Sequence, residues 1–188
     1  MNQPSFARRA TPAEMQRVLV IGISGAGKTT LSQALSRRAG LPLIHLDREF
    51  WQPGWVETPR AVWREKVQAL AARESWVMDG NFDATLDVRL PRADTVIWFD
   101  FPTVRCLFRA LKRVARSYGR VRPDMAEGCP ERIDFDFLRY IARFNSVQRP
   151  RIAAQLAQHG RHLAPIIITR DAEARACLNR LSPTSAAT

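Results

Sequence analysis

The 188-residue chain is 46% hydrophobic and 25% charged, which is typical of one globular domain. It has no apolar run near the ~18 residues that a membrane-spanning helix needs, and its three cysteines lack the CxxC spacing of a zinc site. The formal net charge of +11 leaves nucleic-acid binding open.

The chain ends differ in composition from its middle. Residues 1–16 lack the apolar stretch of a secretory signal, and residues 182–188 are mostly small. We therefore expect flexible tails over 1–16 and 182–188, a single domain over 17–181, and a cytoplasmic protein without membrane association.

The first element pair carries the most specific motif. The apolar β-branched run Arg17-Val-Leu-Val-Ile21 predicts a buried strand, and a helix is predicted from near Lys28 to Ala39. The intervening sequence, Gly22-Ile-Ser-Gly-Ala-Gly-Lys-Thr29, matches the phosphate-binding pattern GxxxxGK[ST]. Glycines turn backbone N–H groups onto a phosphate, the lysine adds a full charge, and the threonine hydroxyl serves Mg²⁺. We expect ATP to contact Gly22, Gly25, Ala26, Gly27, Lys28, Thr29 and Thr30.

Strands and helices alternate along the rest of the chain. Five strands are predicted, over residues 17–21, 43–47, 75–78, 95–100 and 163–169. The later helices are predicted over residues 60–74, 102–117, 134–158 and 172–181, with a break or kink before Pro150. This alternation predicts an α/β, doubly wound three-layer sandwich with a five-stranded parallel sheet. Two segments, 48–74 and 118–133, are predicted to be insertions in it.

Two carboxylates are candidates for the metal site beside Thr29. Asp79 follows the third predicted strand and Asp100 ends the fourth. Either can hold Mg²⁺ through water, and both can equally be turn or helix caps. Without the order of the strands, both alternatives remain open.

Part of the chain resembles the adenylate kinases. Asp79-Gly80 is similar to that family's DG element, and Phe99-Asp-Phe-Pro102 followed by Arg109 and Arg113 resembles the start of its lid helix. The resemblance implies a P-loop NTPase of the nucleoside-monophosphate-kinase type, with Asp79 at the Mg²⁺, Arg109 on adenine and Arg113 near the phosphates.

The resemblance is weaker elsewhere. It places Arg170 beside the adenine, although a solvated loop arginine is an equal alternative. Where the family continues DG with Phe-Pro-Arg to hold the phosphate of the acceptor, this chain has Asn81-Phe-Asp83. That departure removes a main reason to expect AMP, and Arg89 is the candidate replacement.

A longer resemblance runs from Arg17 to about Leu181. The chain is similar to the topology modulation protein family, adenylate-kinase-like bacterial ATPases whose name implies an effect on DNA supercoiling. The motifs that carry this resemblance are His45-Leu-Asp47, Phe50-Trp-Gln-Pro-Gly-Trp55, Asp79-Gly-Asn81, Thr85-Leu-Asp-Val-Arg-Leu90 and Arg122-Pro-Asp-Met-Ala-Glu-Gly-Cys-Pro-Glu131.

An acceptor site is predicted from the segment after the second strand. Trp51 and Trp55 offer flat faces to a ring, and Asp47 can orient an acceptor hydroxyl or take its proton. The alternatives are tryptophans that only pack the loop and a carboxylate that caps a turn. Asn81 and Arg89 complete the candidate acceptor residues.

Arginines concentrate in the candidate lid, residues 118–133, and around it. Phosphoryl transfer mainly needs positive charge and exclusion of water, which a closing arginine-bearing loop supplies. The candidates nearest the transferred group are Arg113, Arg116 and Arg120; the others in and beyond the loop are Arg122, Arg132, Arg139 and Arg143.

The leading functional hypothesis is a kinase that uses ATP and Mg²⁺ to phosphorylate a small acceptor. One alternative is a nucleic-acid-associated ATPase, which the charge makes possible and the lack of a recognised nucleic-acid-binding motif disfavours. Another is a regulatory nucleotide switch without an acceptor. A monomer or a weak homodimer is expected.

Overall fold

A computed structural model of the protein describes residues 15–180. The tails predicted over 1–16 and 182–188 therefore fall almost entirely outside the described residues. Met15, at the start of the described chain, is buried in the core. Across 15–180, no helix combines the length and the apolarity needed to cross a membrane.

Within residues 15–180, seven strands form two sheets. They are β1 (Arg17–Gly22), β2 (Leu43–His45), β3 (Trp51–Gln52), β4 (Val56–Glu57), β5 (Trp76–Asp79), β6 (Thr95–Phe99) and β7 (Ile166–Ile168). Five are parallel, in the order β2-β5-β1-β6-β7, and β3 and β4 form a separate antiparallel hairpin. The five predicted strands and their parallel arrangement are confirmed.

The helices cover this sheet. They are α1 (Lys28–Ala39), α2 (Leu46–Phe50), α3 (Arg60–Ala71), α4 (Leu86–Arg89), α5 (Thr103–Ser117), α6 (Phe135–Ala142), α7 (Phe144–His159) and α8 (Asp171–Arg180). Short 3₁₀ turns over Asp83–Thr85 and Leu90–Arg92 flank α4. Every residue of β5 and β6 is buried, which requires packing on both faces of the sheet.

The sheet order fixes where loops meet. Since β1 lies between β5 and β6, the loop after β1 emerges between the carboxyl ends of both neighbours. In the registers of these pairs, Val20 lies opposite Asp79 and Gly22 opposite Phe99. Ligands of open parallel sheets bind at such a carboxyl edge.

Two local expectations need correction. Asp47 does not end a strand, because β2 stops at His45 and Asp47 lies in the first turn of α2. The helical stretch is interrupted at Arg143, whose ψ of 2° leaves the helical range, and Pro150 lies inside α7. Pro150 has no N–H to donate to the Ser146 carbonyl. Because Ser146 is exposed, water can donate that hydrogen bond instead.

Candidate active site

The phosphate loop is built from glycines in the left-handed region. A Cβ on Gly22 (φ +123°) would lie 2.1 Å from the Phe99 carbonyl oxygen, and one on Gly25 (φ +86°) would lie 2.4 Å from that of Cys106. A Cβ on Gly27 (φ +99°) would point into open space. The first two glycines therefore allow close packing, whereas the third keeps room for a ligand beside the first turn of α1.

Lys28 stands over this loop. Its Nζ donates a hydrogen bond to the Ile23 carbonyl at 3.0 Å. Burial lowers the pKa of Lys28 below its usual range, and the nearby Asp79 and Asp47 carboxylates partly offset that effect. The Lys28 ammonium thus lies close to two carboxylates that favour its charged form.

The structure separates the two candidates for the metal site. The Thr29 hydroxyl donates to Asp79 Oδ2 at 2.9 Å, and His45 Nδ1 lies 3.2 Å from the same oxygen. Asp100 instead accepts hydrogen bonds from Arg149 Nε at 2.9 and 3.1 Å. A hydroxyl and a carboxylate beside a phosphate loop form the hard oxygen set that Mg²⁺ prefers, so Thr29 and Asp79 fit the ion.

A cleft of about 900 Å³ opens above the loop. It brings together predicted donor and acceptor residues, namely Gly25, Gly27, Lys28, Thr29, Thr30, Asp47, Trp51, Trp55, Asp79, Asn81, Arg109 and Arg113. The predicted residues that do not line it are Gly22, Ala26, Arg89, Arg116, Arg120 and Arg170. Gly22 and Ala26 are buried residues of the loop itself, so they shape its backbone without facing the cleft.

Asp47 faces Lys28 across this cleft. Within residues 15–180 its carboxylate has no hydrogen bond and no ion pair, and water reaches it through the cleft. Even so, the surrounding protein and then the Asp79 charge raise the pKa of Asp47 to about 6, against a smaller opposing effect of Lys28. A carboxylate with that pKa is suited to accept a proton near neutral pH.

The β3–β4 hairpin holds the two tryptophans. Their rings meet edge to face with centroids 5.4 Å apart. Trp55 has a φ of +64°, which is strained for a bulky residue. Its Nε1 donates to the Pro130 carbonyl at 3.0 Å, and the Arg132 guanidinium lies over its ring. Trp55 therefore both packs and lines the cleft.

The 118–133 loop docks on this hairpin. Gly54 N donates to the Gly128 carbonyl at 2.9 Å, and Cys129 Sγ lies 3.2 Å from the Gln52 carbonyl. Together with the Trp55–Pro130 bond, these contacts close one side of the cleft.

Arg89 has a different place from the one predicted. Its side chain is 0% exposed and donates to the carbonyls of four residues, Gly80, Asn81, Phe82 and Thr85. Burial lowers the pKa of Arg89 to about 9. With its donors turned to the loop after β5, Arg89 holds that loop in shape and does not face the cleft.

Asn81, in that same loop, does line the cleft. Its Oδ1 accepts from Gly22 N at 3.4 Å, and its Nδ2 donates to the Tyr140 hydroxyl at 3.2 Å. The side chain thus joins the phosphate loop to α6.

The predicted arginines divide into three groups. Arg109 is paired with Asp171 at 2.6 Å, and Arg113 with Glu131 at 3.2 Å, both at the edge of the cleft. Arg116 and Arg120 are exposed on the outer surface, and Arg170 pairs with Glu173. Arg139 and Arg143 line a separate shallow hollow of about 280 Å³.

Several cleft residues were not predicted as site residues, among them Asp124, Glu131 and Tyr140. Asp124 and Glu131 lie in the 118–133 loop, where carboxylates alternating with arginines were the available signal. Both are buried, and both pair with Arg122 at 2.6 Å. Tyr140 carries no sequence signal of its own, since its role depends on how α6 packs against Asn81.

Comparisons with known proteins agree with this architecture. Among solved structures, a gluconokinase from Sinorhizobium meliloti 1021 superposes with a TM-score of 0.53 at 19% identity, covering 93% of this chain and 95% of that one. The fold is that of an α/β P-loop NTPase. A shikimate kinase from Acinetobacter baumannii in complex with shikimate gives 0.56 at 17% identity, covering 89% and 90%. A shikimate kinase from Bacteroides thetaiotaomicron gives 0.51 at 19% identity, covering 89% and 96%. No family model and no curated protein matches the chain.

Proposed function

We propose that this chain is an ATP-dependent phosphotransferase that moves the γ-phosphate of ATP to a small acceptor. The observation that carries the proposal is the single cleft in which Lys28, Thr29 and Asp79 face Asp47 and Trp51. The kinase names of the structural neighbours support the same reaction class. The motif resemblance supports a topology-modulation-type member of this fold, in the cytoplasm.

The donor half would act through charge and position. Amides of the phosphate loop and Lys28 would hold the β- and γ-phosphates, and Arg109 would flank the adenine. Thr29 and Asp79 would hold Mg²⁺, which neutralises phosphate charge when bound. Little covalent assistance is required from the protein in this chemistry.

The acceptor half would act through Asp47. Its carboxylate would accept the proton of the acceptor hydroxyl while that oxygen bonds to the γ-phosphorus and the bond to the ADP oxygen breaks. Trp51 and Trp55 would bound the acceptor, and Asn81 would hold the phosphate loop in register with them.

The 118–133 loop would serve as the lid. Arg113, at its base, would neutralise charge on the transferred group, because its terminal nitrogens have no hydrogen bond within residues 15–180. Arg120 would join it only after the loop moves, and Arg116 only if the end of α5 moves with the loop, since both now face solvent.

A coupled assay of ADP formation tests the proposal. Acceptors would be screened as nucleosides, nucleotides, sugars and polyols, and at least one should stimulate ADP formation well above the rate with ATP alone. Lys28→Met should abolish the stimulated rate, whereas Lys66→Met, a control on α3 outside the cleft, should not. Absence of stimulation across the panel would contradict the proposal.

A second function, a nucleic-acid-associated ATPase, is favoured by the net charge of +11. Affinity for DNA would then fall steeply between low and moderate salt, because each phosphate contact releases counterions. Absence of DNA binding at low salt would exclude it. A nucleotide switch would instead show slow hydrolysis that no acceptor accelerates.

A further inference from the structure

The arginines around the cleft are already bound to carboxylates of the protein. Four arginines line the cleft, and each lies within ion-pair distance of an acidic residue. The pairs are Arg109 with Asp171 at 2.6 Å, Arg113 with Glu131 at 3.2 Å, Arg122 with Asp124 at 2.6 Å, and Arg132 with Asp134 at 3.6 Å.

Arg122 is the most fully engaged of the four. Its Nη1 contacts Asp124 Oδ2 and its Nε contacts Glu131 Oε1, both at 2.6 Å. Asp124 and Glu131 are only 8% and 5% exposed, so an incoming anion would have to displace buried, short ion pairs. Arg132 is occupied differently, because its guanidinium lies over the Trp55 ring.

Arg113 differs from Arg122 in what it leaves free. Only its Nε approaches Glu131, so its terminal nitrogens remain available to the phosphates of the donor. Arg113 is also an electrostatic neighbour of Lys28, because its positive charge lowers the pKa of Lys28. Because Asp47 is likewise an electrostatic neighbour of Arg113, the available guanidinium lies between the donor and acceptor halves, where the transferred phosphate would pass.

The acceptor half carries unpaired negative charge instead. Asp47, Glu57 and Asp136 line the cleft, and within residues 15–180 none of the three has a hydrogen bond or an ion pair from its side chain. The pKa of Asp47 is raised to about 6, first by burial and then by the Asp79 charge. A further anion placed here would meet like charge.

Because the cleft arginines other than Arg113 are engaged and these three carboxylates are not, we propose that the acceptor is a ring compound with hydroxyl groups and no phosphate or carboxylate. This inference rests on the proposed phosphotransferase function. Asp47 would receive the proton of one hydroxyl, and the Trp51–Trp55 pair would bound the apolar face of the ring.

Matched pairs of acceptors test the inference on the wild-type protein. Each pair differs by one anionic group: adenosine and its 5′-monophosphate, uridine and its 5′-monophosphate, glucose and glucuronate. ADP formation should show kcat/KM at least ~10-fold higher for the uncharged member of any pair that is used, as like-charge repulsion predicts.

The possible results separate the two proposals. A preference for the anionic member would overturn the acceptor class and leave the phosphotransferase function standing. If no acceptor of the wider panel is phosphorylated while ATP binds, the phosphotransferase function fails and the acceptor class fails with it.

One substitution addresses the source of the selectivity. Asp124→Asn removes the carboxylate from Arg122 with little change of shape and should shift the ratio of the two kcat/KM values about tenfold toward the anionic acceptor. Glu127→Gln makes the same change of charge on an exposed residue of the same loop that has no partner within residues 15–180, and should leave the ratio unchanged. Equal ratios in both variants would show that Arg122 pairing does not set the selectivity.

Discussion

Asp47→Asn should separate activity from stability. As the proton acceptor, Asp47 would contribute about 10²- to 10⁴-fold to the rate, or roughly 3–5 kcal/mol of barrier. The asparagine keeps the shape of the side chain and cannot take the proton. We therefore expect a fall in kcat of that size with little change in the KM for ATP.

The pH dependence follows from the pKa of about 6. Below that pH the wild-type carboxyl holds its proton and cannot accept another, so kcat should rise with pH through about 6. Asp47→Asn should lose this acidic limb. Glu49→Gln is the matched control, since Glu49 lies on the same helix and pairs with Lys66 at 2.7 Å; it should keep the limb.

Asp47→Asn should raise the stability of the protein although it lowers kcat. The folded-state pKa is raised from 3.8 to about 6, so the folded protein binds this proton more tightly than the unfolded chain. Below pH 3.8 the carboxyl is protonated in both states and does not change the free energy of unfolding. As the pH rises from 3.8 to about 6, its ionisation increasingly destabilises the folded protein. The full shift corresponds to ~3 kcal/mol, which water in the open cleft reduces to about 1 kcal/mol.

Urea denaturation at pH 8 and pH 3.5, together with initial rates between pH 5 and 8.5, would measure both effects. Asp47→Asn should gain about 1 kcal/mol in the free energy of unfolding at pH 8 and nothing at pH 3.5. An asparagine variant within threefold of wild-type kcat that retains the acidic limb would refute the role of Asp47 as base. Equal stability at pH 8 would refute the electrostatic argument.

Three further predictions follow from contacts in and below the cleft. Asp79→Asn should lower Mg²⁺-dependent turnover by about 10²-fold or more, whereas Asp100→Asn should not, because only Asp79 contacts Thr29. Arg89→Met should lower the free energy of unfolding by about 3–5 kcal/mol in urea, since four buried or half-buried carbonyls lose their donor. Arg92→Met, on an exposed arginine, should lose less than half of that. Gly27→Ala should lower the free energy of unfolding by only about 1–2 kcal/mol, because its Cβ would point into open space. The same Cβ would occupy room for the phosphate, so ATP binding measured by calorimetry should weaken. A loss of stability without a loss of ATP affinity would contradict the phosphate-binding role of the loop.

The fold could be predicted because its signals are local. Continuous apolar runs and the GxxxxGK[ST] loop define strands and helices without reference to distant residues, and each of the five strands lies where it was expected. The position at which a long helix breaks depends on how its residues pack against the rest of the protein, so Pro150 did not mark the break between α6 and α7. Pro150 and Ser146 lie on an exposed face, so the loss of the hydrogen bond between them costs little free energy. The chain leaves the helical conformation at Arg143 instead.

The site was harder to predict because pairing decides what a side chain is free to do. Asp79 and Asp100 are both carboxylates at strand ends; the DG resemblance favoured Asp79, and the order β5-β1-β6 with the Thr29 contact distinguishes them physically. Arg89 had the charge expected of an acceptor residue, but its guanidinium already donates to the backbone carbonyls of four residues. No pattern in a single sequence reports which donors are already engaged.

The docking of the 118–133 loop on the β3–β4 hairpin also bears on how such proteins diverge. The two segments are far apart along the chain, lie outside the parallel sheet, and hold each other through three hydrogen bonds. A lineage can therefore change both together while its sheet and phosphate loop stay intact. Replacing one segment alone would break those bonds, so the two should be inherited as a unit, and new acceptor specificities should arise by their joint exchange.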